Sequence, residues 1–146
     1  MDIIEIRQGT LDIVVSMALE LWEDNTYEGL KKEYVRILHS KNETVFLSKI
    51  EDSFVGFIHV SVRHDYVEGT STSPVGYVEG IYVNPNFRGK KVARELVNKG
   101  EQWAASKGCK EMASDIEQDN AVSYEFHRNI GFKEVNRLIC FVKGID

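Results

Sequence analysis

The chain has 146 residues, 42% hydrophobic and 28% charged, which suits one soluble domain over residues 1–146 that can bury roughly 68–70% of its unfolded surface. Its 23 acidic against 18 basic side chains leave a net charge of −5, which speaks against a nucleic-acid partner and suits a small cationic one. No apolar run reaches the roughly 18 residues of a membrane span, and Met1-Asp2-Ile3-Ile4-Glu5 lacks the basic start of a signal peptide. Cys109 and Cys140 are too few for a disulfide framework or a zinc site. The expected setting is therefore cytoplasmic, with no membrane and no metal.

In chain order, Ile3–Arg7 is predicted as a first strand, and Thr10 as the cap of a helix over Leu11–Trp22. Leu30, Tyr34, Ile37 and Leu38 share one face of a second helix over Tyr27–Leu38. Thr44–Ile50, the turn Glu51-Asp52-Ser53 and Phe54–Arg63 predict an antiparallel hairpin, and Asp65–Pro74 a polar loop. Val75–Val83 alternates as a strand that Asn84-Pro85 stops. A helix over Val92–Ser106 ends at Gly108. Glu111–Asp115 is a short strand and Ala121–Asn129 a helix capped by Asn120 and closed by Gly131. Lys133–Asn136 and Leu138–Lys143 are predicted as final strands. This order implies an α/β fold of the mixed-sheet (α+β) kind with helices on the faces.

Three stretches carry chemistry. The strand Glu79-Gly80-Ile81-Tyr82-Val83 runs through Asn84-Pro85-Asn86-Phe87 into a turn of Arg88, Gly89, Lys90 and Lys91 that opens a helix at Val92, Ala93 and Arg94. Unpaired amides and the dipole at such a helix start suit a phosphate, although a short glycine-containing turn also fits a solvated basic surface. At a period of two, Glu79 shares a face with Tyr77, Ile81 and Val83, so a carboxylate among apolar neighbours becomes a candidate base for an ammonium group. Asp115, with Glu117 and Asp119, could bind cations or form a solvated helix entrance. In the third stretch, Asn120 to Phe132, Val122, Phe126 and Ile130 line one helix face.

Arg88-Gly89-Lys90-Lys91-Val92-Ala93, followed by Asn120-x-x-Ser123 and Gly131-Phe132, resembles the paired motifs of the GNAT superfamily. Tyr66-Val67-Glu68-Gly69-Thr70, Thr72-Ser73-Pro74-Val75, Glu79–Val83 and Ala113-Ser114-Asp115 are similar to the chromosomal-type aminoglycoside 6'-N-acetyltransferases, from about Leu21 to Lys143. The resemblance implies the acyl-CoA N-acyltransferase fold, with a central, mostly antiparallel mixed sheet. It implies acetyl-CoA as co-substrate and transfer of acetyl to an aminoglycoside 6'-amine, as in antibiotic resistance. Ile81, Tyr82 and Val83 would pair with the pantetheine arm. Arg88, Gly89, Lys90, Lys91, Val92, Ala93 and Arg94 would hold the pyrophosphate, and Asn120 would also touch the cofactor. Trp22, Asn25, Tyr66, Glu79, Asp115 and Asn136 match positions lining the aminoglycoside site. Glu79 is then the base and Asp115 its helper or the orienting group, with direct attack in a ternary complex. A homodimer is implied, in which the Tyr66 loop reaches the neighbouring site.

The chain departs from the pattern at three positions. Lys91 stands where a Gly is usual, Asn136 where the aminoglycoside relatives carry Glu, and His127 where many members place a Tyr as general acid. Two other readings stay open: a GNAT enzyme for a polyamine or protein lysine, and a non-catalytic acetyl-CoA-binding regulatory module.

Overall fold

The computed structural model describes all residues 1–146. A five-stranded sheet runs β1 (Asp2–Glu5), β2 (Glu43–Ile50), β3 (Ser53–Arg63), β4 (Val75–Val83) and β5 (Met112–Ser114), in that spatial order. Neighbours are antiparallel except β4 and β5, which run parallel. The parallel pair needs a crossover, and α3 (Val92–Ser106) supplies it. Before β2 come α1 (Leu11–Leu21) and α2 (Tyr27–Leu38), and after β5 comes α4 (Ala121–Asn129).

Both faces of the sheet are covered, so β3 is buried along almost its whole length rather than alternating in and out. On one face Leu11, Val14, Val15 and Ala18 of α1 and Leu30, Tyr34 and Ile37 of α2 pack on Val45, Leu47 and Phe57. On the other, Leu96 and Val97 of α3 meet Ile58, Val60 and Val78. Each such side chain, once buried, contributes about 1.5–3 kcal/mol. Gly100 brings α3 close, because a Cβ there would lie 2.9 Å from Val60.

Local signals explain most boundaries. The Thr26 hydroxyl accepts from the Gly29 amide and starts α2, and the Asn120 side chain accepts from the Ser123 amide at 3.1 Å and starts α4. Gly108 and Gly131 take φ of 91° and 100° and end α3 and α4. Thr10 precedes α1 as expected but does not cap it. Its hydroxyl instead exchanges hydrogen bonds with the backbone of Arg7, closing the 3-10 turn Gln8–Thr10.

The predicted strands Lys133–Asn136 and Leu138–Lys143 do not form. A strand needs a free edge to pair with, and these residues lie on none within the protomer. Asn136 donates to the Glu68 carboxylate at 2.6 Å, and Val135 packs against Gly69. Beyond that anchor Phe141 is 92% exposed and Val142 100% exposed, and Leu138, Ile139 and Ile145 are exposed as well.

Candidate active site

The site is built on an irregularity in β4. Val78 pairs with Val60 and Gly80 with His59, which leaves Glu79 as an extra residue in a β-bulge. The bulge reverses the side-chain alternation. Ile81 and Val83 therefore pack with the α3 cluster, while Tyr77 and Glu79 face the other way. The simple period-two expectation, which put Glu79 on one face with Ile81 and Val83, is overturned here. The bulge also ends the pairing with β5, which covers only Gly76, Tyr77 and Val78. From Glu79 to Val83 the β5-side edge of β4 has no neighbouring strand, so the backbone of Ile81, Tyr82 and Val83 can receive an extended chain.

Beyond Val83 the Asn84 side chain accepts from the Asn86 amide, and Pro85–Phe87 forms a 3-10 turn. Arg88 reaches back to the Val83 carbonyl at 3.3 Å. Gly89 has φ of 80°, and Lys91, at the start of α3, has φ of 66°. Lysine takes the left-handed conformation that a Gly would adopt freely, at a cost of roughly 1–2 kcal/mol, so the turn keeps its path despite the substitution. The first helical hydrogen bond runs from the Glu95 amide to the Lys91 carbonyl. The amides of Val92, Ala93 and Arg94 thus have no helical acceptor and lie at the positive end of the dipole. Arg88, Lys90, Lys91 and Arg94 stand exposed around them. This donor set fits a diphosphate, and the open β4 edge beside it fits the amide-bearing arm of coenzyme A.

Glu79 is not surrounded by apolar groups. Arg63, the last residue of β3, donates through Nε (3.1 Å) and Nη2 (2.9 Å) to its two oxygens, and the Ser61 hydroxyl donates at 2.5 Å. The guanidinium lies 3.5 Å over the Tyr77 ring, and the Tyr77 hydroxyl donates to Asp115. Burial first, and then that bond to Asp115, push the Tyr77 phenol up from its ordinary range, so it stays protonated as a donor. Glu79 and Asp115 are thereby joined through Arg63 and Tyr77. Ser61, Arg63 and Tyr77 were not singled out in the sequence. Ser61 pairs with Tyr77 across the ladder, so the hairpin register was the signal that could have found them.

Trp22 ends α1 and lies over Gly80, where a Cβ would sit 2.5 Å from its ring. Beside it Glu20, Glu23, Asp24 and Asn25 line an open acidic pocket of about 350 Å³. Trp22, Glu79 and Gly80 thus come together, and Asp115 joins them through Tyr77. Tyr66 is exposed on the following loop, whose tip is tied down where Ser71 and Thr72 donate to Glu111. Asn136 bonds to Glu68 of the same loop and adds no carboxylate. His127 sits between Phe126 and Phe132. Its Nδ1 lies 2.7 Å from the Ser123 carbonyl and its Nε2 2.8 Å from the Ser114 hydroxyl, so both ring nitrogens are engaged. Cys109 is buried, which pushes its thiol up, and no base pairs with it, as a covalent route would need.

Comparison with known proteins gives the same picture. A profile of the Acetyltransferase (GNAT) family matches residues 14–132. The aminoglycoside N(6')-acetyltransferase type 1 of Salmonella typhimurium is 35% identical over 143 residues, covering 98% of this chain and 99% of its own. The enzyme of the same name from Acinetobacter haemolyticus is 35% identical over 146 residues, covering 100% of both chains. The solved structure of AAC(6')-Iy in complex with the bisubstrate analogue CoA-S-monomethyl-acetylneamine superposes with a TM-score of 0.96 at 33% identity, over 99% of this chain and 98% of that one. The bulged fourth strand, the basic turn and the helix that follows it are thus those of a protein that belongs to the GNAT acetyltransferase family.

Proposed function

We propose that the protein transfers acetyl from acetyl-CoA to the 6'-amine of an aminoglycoside. The observation that carries this reading is the near-complete superposition on a relative solved with a CoA–aminoglycoside bisubstrate analogue. The chain's own residues agree with it. The α3 start and the Arg88–Arg94 turn suit the pyrophosphate, and Asn120 stands at the head of the neighbouring helix. Trp22, Asn25, Glu79 and Asp115 offer an aromatic and acidic surface to a polycation, to which Tyr66 adds from the neighbouring protomer.

Acetyl-CoA supplies the thioester. Glu79, directly or through a water, takes a proton from the substrate ammonium, and the free amine attacks the thioester carbonyl. As the new C–N bond forms, the C–S bond breaks, and the thiolate takes up a proton to leave as coenzyme A. A backbone amide of Ile81–Val83 stabilises the oxyanion. Asp115, held by Tyr77, orients the cationic sugar, and positioning of the amine supplies much of the acceleration. The reaction runs in the cytoplasm, where acetyl-CoA is at hand. The acting species is a homodimer, because the apolar arm after Asn136 is left exposed in one protomer. The Tyr66 loop, to which that arm is anchored, then reaches the neighbouring site.

Coenzyme A release with kanamycin and tobramycin, against spermidine and a lysine peptide, tests the substrate. Turnover of the aminoglycosides alone supports the reading. Turnover of spermidine or the peptide alone replaces it with acetylation of another amine, which the missing carboxylate at Asn136 would suit. Coenzyme A binding with no turnover of any amine would identify a regulatory module.

A further inference from the structure

The two oxygens of Glu79 are held unequally. Oε2 takes three hydrogen bonds, from the Ser61 hydroxyl at 2.5 Å and from Nε (3.1 Å) and Nη2 (2.9 Å) of Arg63. Oε1 takes one, from Nη2 at 2.9 Å. A carboxylate oxygen offers about two acceptor sites, so Oε2 is saturated while Oε1 keeps one open. The donors belong to one strand, since Ser61 and Arg63 lie two residues apart on β3 and share a face. Both are themselves braced. Ser61 is buried on the ladder opposite Tyr77, and the Arg63 guanidinium lies 3.5 Å over the buried Tyr77 ring. Glu79, by contrast, is the extra residue of the bulge and has no ladder partner. Strand pairing therefore does not fix where its side chain points, and the clasp from β3 does. The Glu79 side chain stays 25% exposed, within reach of a ligand.

The geometry points to Oε1 as the oxygen of Glu79 that accepts the substrate proton, with Ser61 and Arg63 as positioning residues that hold the carboxylate by Oε2. The inference rests on the proposed acetyl transfer with Glu79 as base, and adds the working atom and the residues that aim it. An ammonium N–H, or a bridging water, donates into the open site on Oε1. The proton passes to Oε1, and the nitrogen keeps its electron pair for the thioester carbonyl. Released from the clasp, the glutamate side chain samples several rotamers. A misplacement of about 1 Å can cost on the order of 10²-fold in rate, and losing one of the two holders should cost less than that.

The test follows coenzyme A release with tobramycin in the wild type, Ser61→Ala and Arg63→Lys, and repeats both substitutions in a Glu79→Gln background. Lysine keeps the positive charge beside Glu79 and loses the fork, so it separates aim from charge. Each single variant is expected to lower kcat about tenfold, with KM changed less than about twofold. In the Glu79→Gln background the same substitutions should lower kcat no further. Melting curves identify the folded variants, and Arg63, 42% exposed at the end of β3, offers a site where replacement disturbs packing least. A residue whose folded variant keeps or raises its kcat holds nothing in place, and if both do so the inference is overturned. It is also overturned if the loss falls on KM, or if it recurs in full without Glu79, since either result gives Ser61 and Arg63 a purely structural part. A wild type that leaves tobramycin unacetylated, or a Glu79→Gln variant with unchanged kcat, instead defeats the proposed function, and this inference falls with it.

Discussion

The indole of Trp22 rests on the backbone of Gly80, and a Cβ at that position would come within 2.5 Å of the ring. Gly80 therefore lets the indole lie directly against β4, one residue from Glu79. Gly80→Ala should push the indole away from the strand. The expected result is a rise of about tenfold in KM for the aminoglycoside, with coenzyme A affinity by calorimetry changed less than about twofold. The overpacking should also lower stability by about 1–3 kcal/mol. Equal loss of both ligands would mean that β4 itself had moved.

Glu79 lies on β4 and Asp115 directly follows β5, the parallel strand beside it, and the proposed function gives the two carboxylates different tasks. Glu79→Gln keeps the shape and removes the proton acceptor, so kcat should fall by about 10²-fold or more. Asp115→Asn keeps an acceptor for the Tyr77 hydroxyl and removes the charge that the proposed function assigns to holding the sugar. Its main effect should be on KM. Steady-state kinetics with both variants separates the roles, and an unchanged kcat in Glu79→Gln would take proton abstraction away from Glu79.

Much of this was legible in the sequence, for reasons that differ by element. The ends of α3, α4 and β4 follow from Gly108, Gly131 and Asn84-Pro85, and α2 follows from the face shared by Leu30, Tyr34 and Ile37. The basic turn before α3 was legible because its glycine and basic residues directly precede a helix. The surroundings of Glu79 were not. A bulge changes the phase of a strand by one residue and leaves no mark in the alternation, so Ile81 and Val83 were placed on the wrong face. Arg63 was hidden for a related reason, since its meeting with Glu79 depends on the register between β3 and β4. The final strands have the right composition for strands, but a strand also needs a neighbour, and composition does not say whether one is present in the same protomer.

Gly89 has φ of 80°, and a Cβ there would have no atom within 4 Å. Gly89→Ala therefore tests conformation without a steric clash. Holding alanine in the left-handed region costs about 1–2 kcal/mol. The turn should relax away from the α3 start, weakening coenzyme A about tenfold by calorimetry. The KM for the amine, measured at saturating acetyl-CoA, should change much less.

Glu111 fastens the loop between β3 and β4. The Thr72 hydroxyl first, then the Ser71 and Thr72 amides, hold its carboxyl below the ordinary value of 4.5. A lowered folded-state value means that the anchoring is fully present above pH 4.5 and is lost as pH falls through the lower folded value. Hydrogen exchange at the Ser71 and Thr72 amides, corrected for intrinsic rates, should therefore show protection at pH 6 that declines once the pH is well below 4.5. Glu111→Gln should remove most of that protection at both pH values. If the protection persists in the variant, the rest of the loop holds itself.

The arm after Asn136 bears on the assembly. Exposed apolar groups fall at consecutive positions, Leu138 with Ile139 and Phe141 with Val142, so both faces of an extended segment are apolar. In a sheet that pattern belongs to a strand covered on both sides, and one protomer provides no such cover. The short β5 is an edge of the sheet, and a second copy can supply the missing strand to it while receiving the same in return, a two-fold exchange that leaves no open end. Light scattering should then give twice the 16.7 kDa protomer mass for the full chain. A chain ending at Arg137 should run as a monomer, and Phe141→Asp should weaken association while keeping the full length. Because Asn136 and Val135 tie the arm to the loop that carries Tyr66, both changes should also raise KM for the aminoglycoside. A full-length chain that scatters as a monomer at micromolar concentration would leave the arm without a partner and remove the dimer from the proposed function.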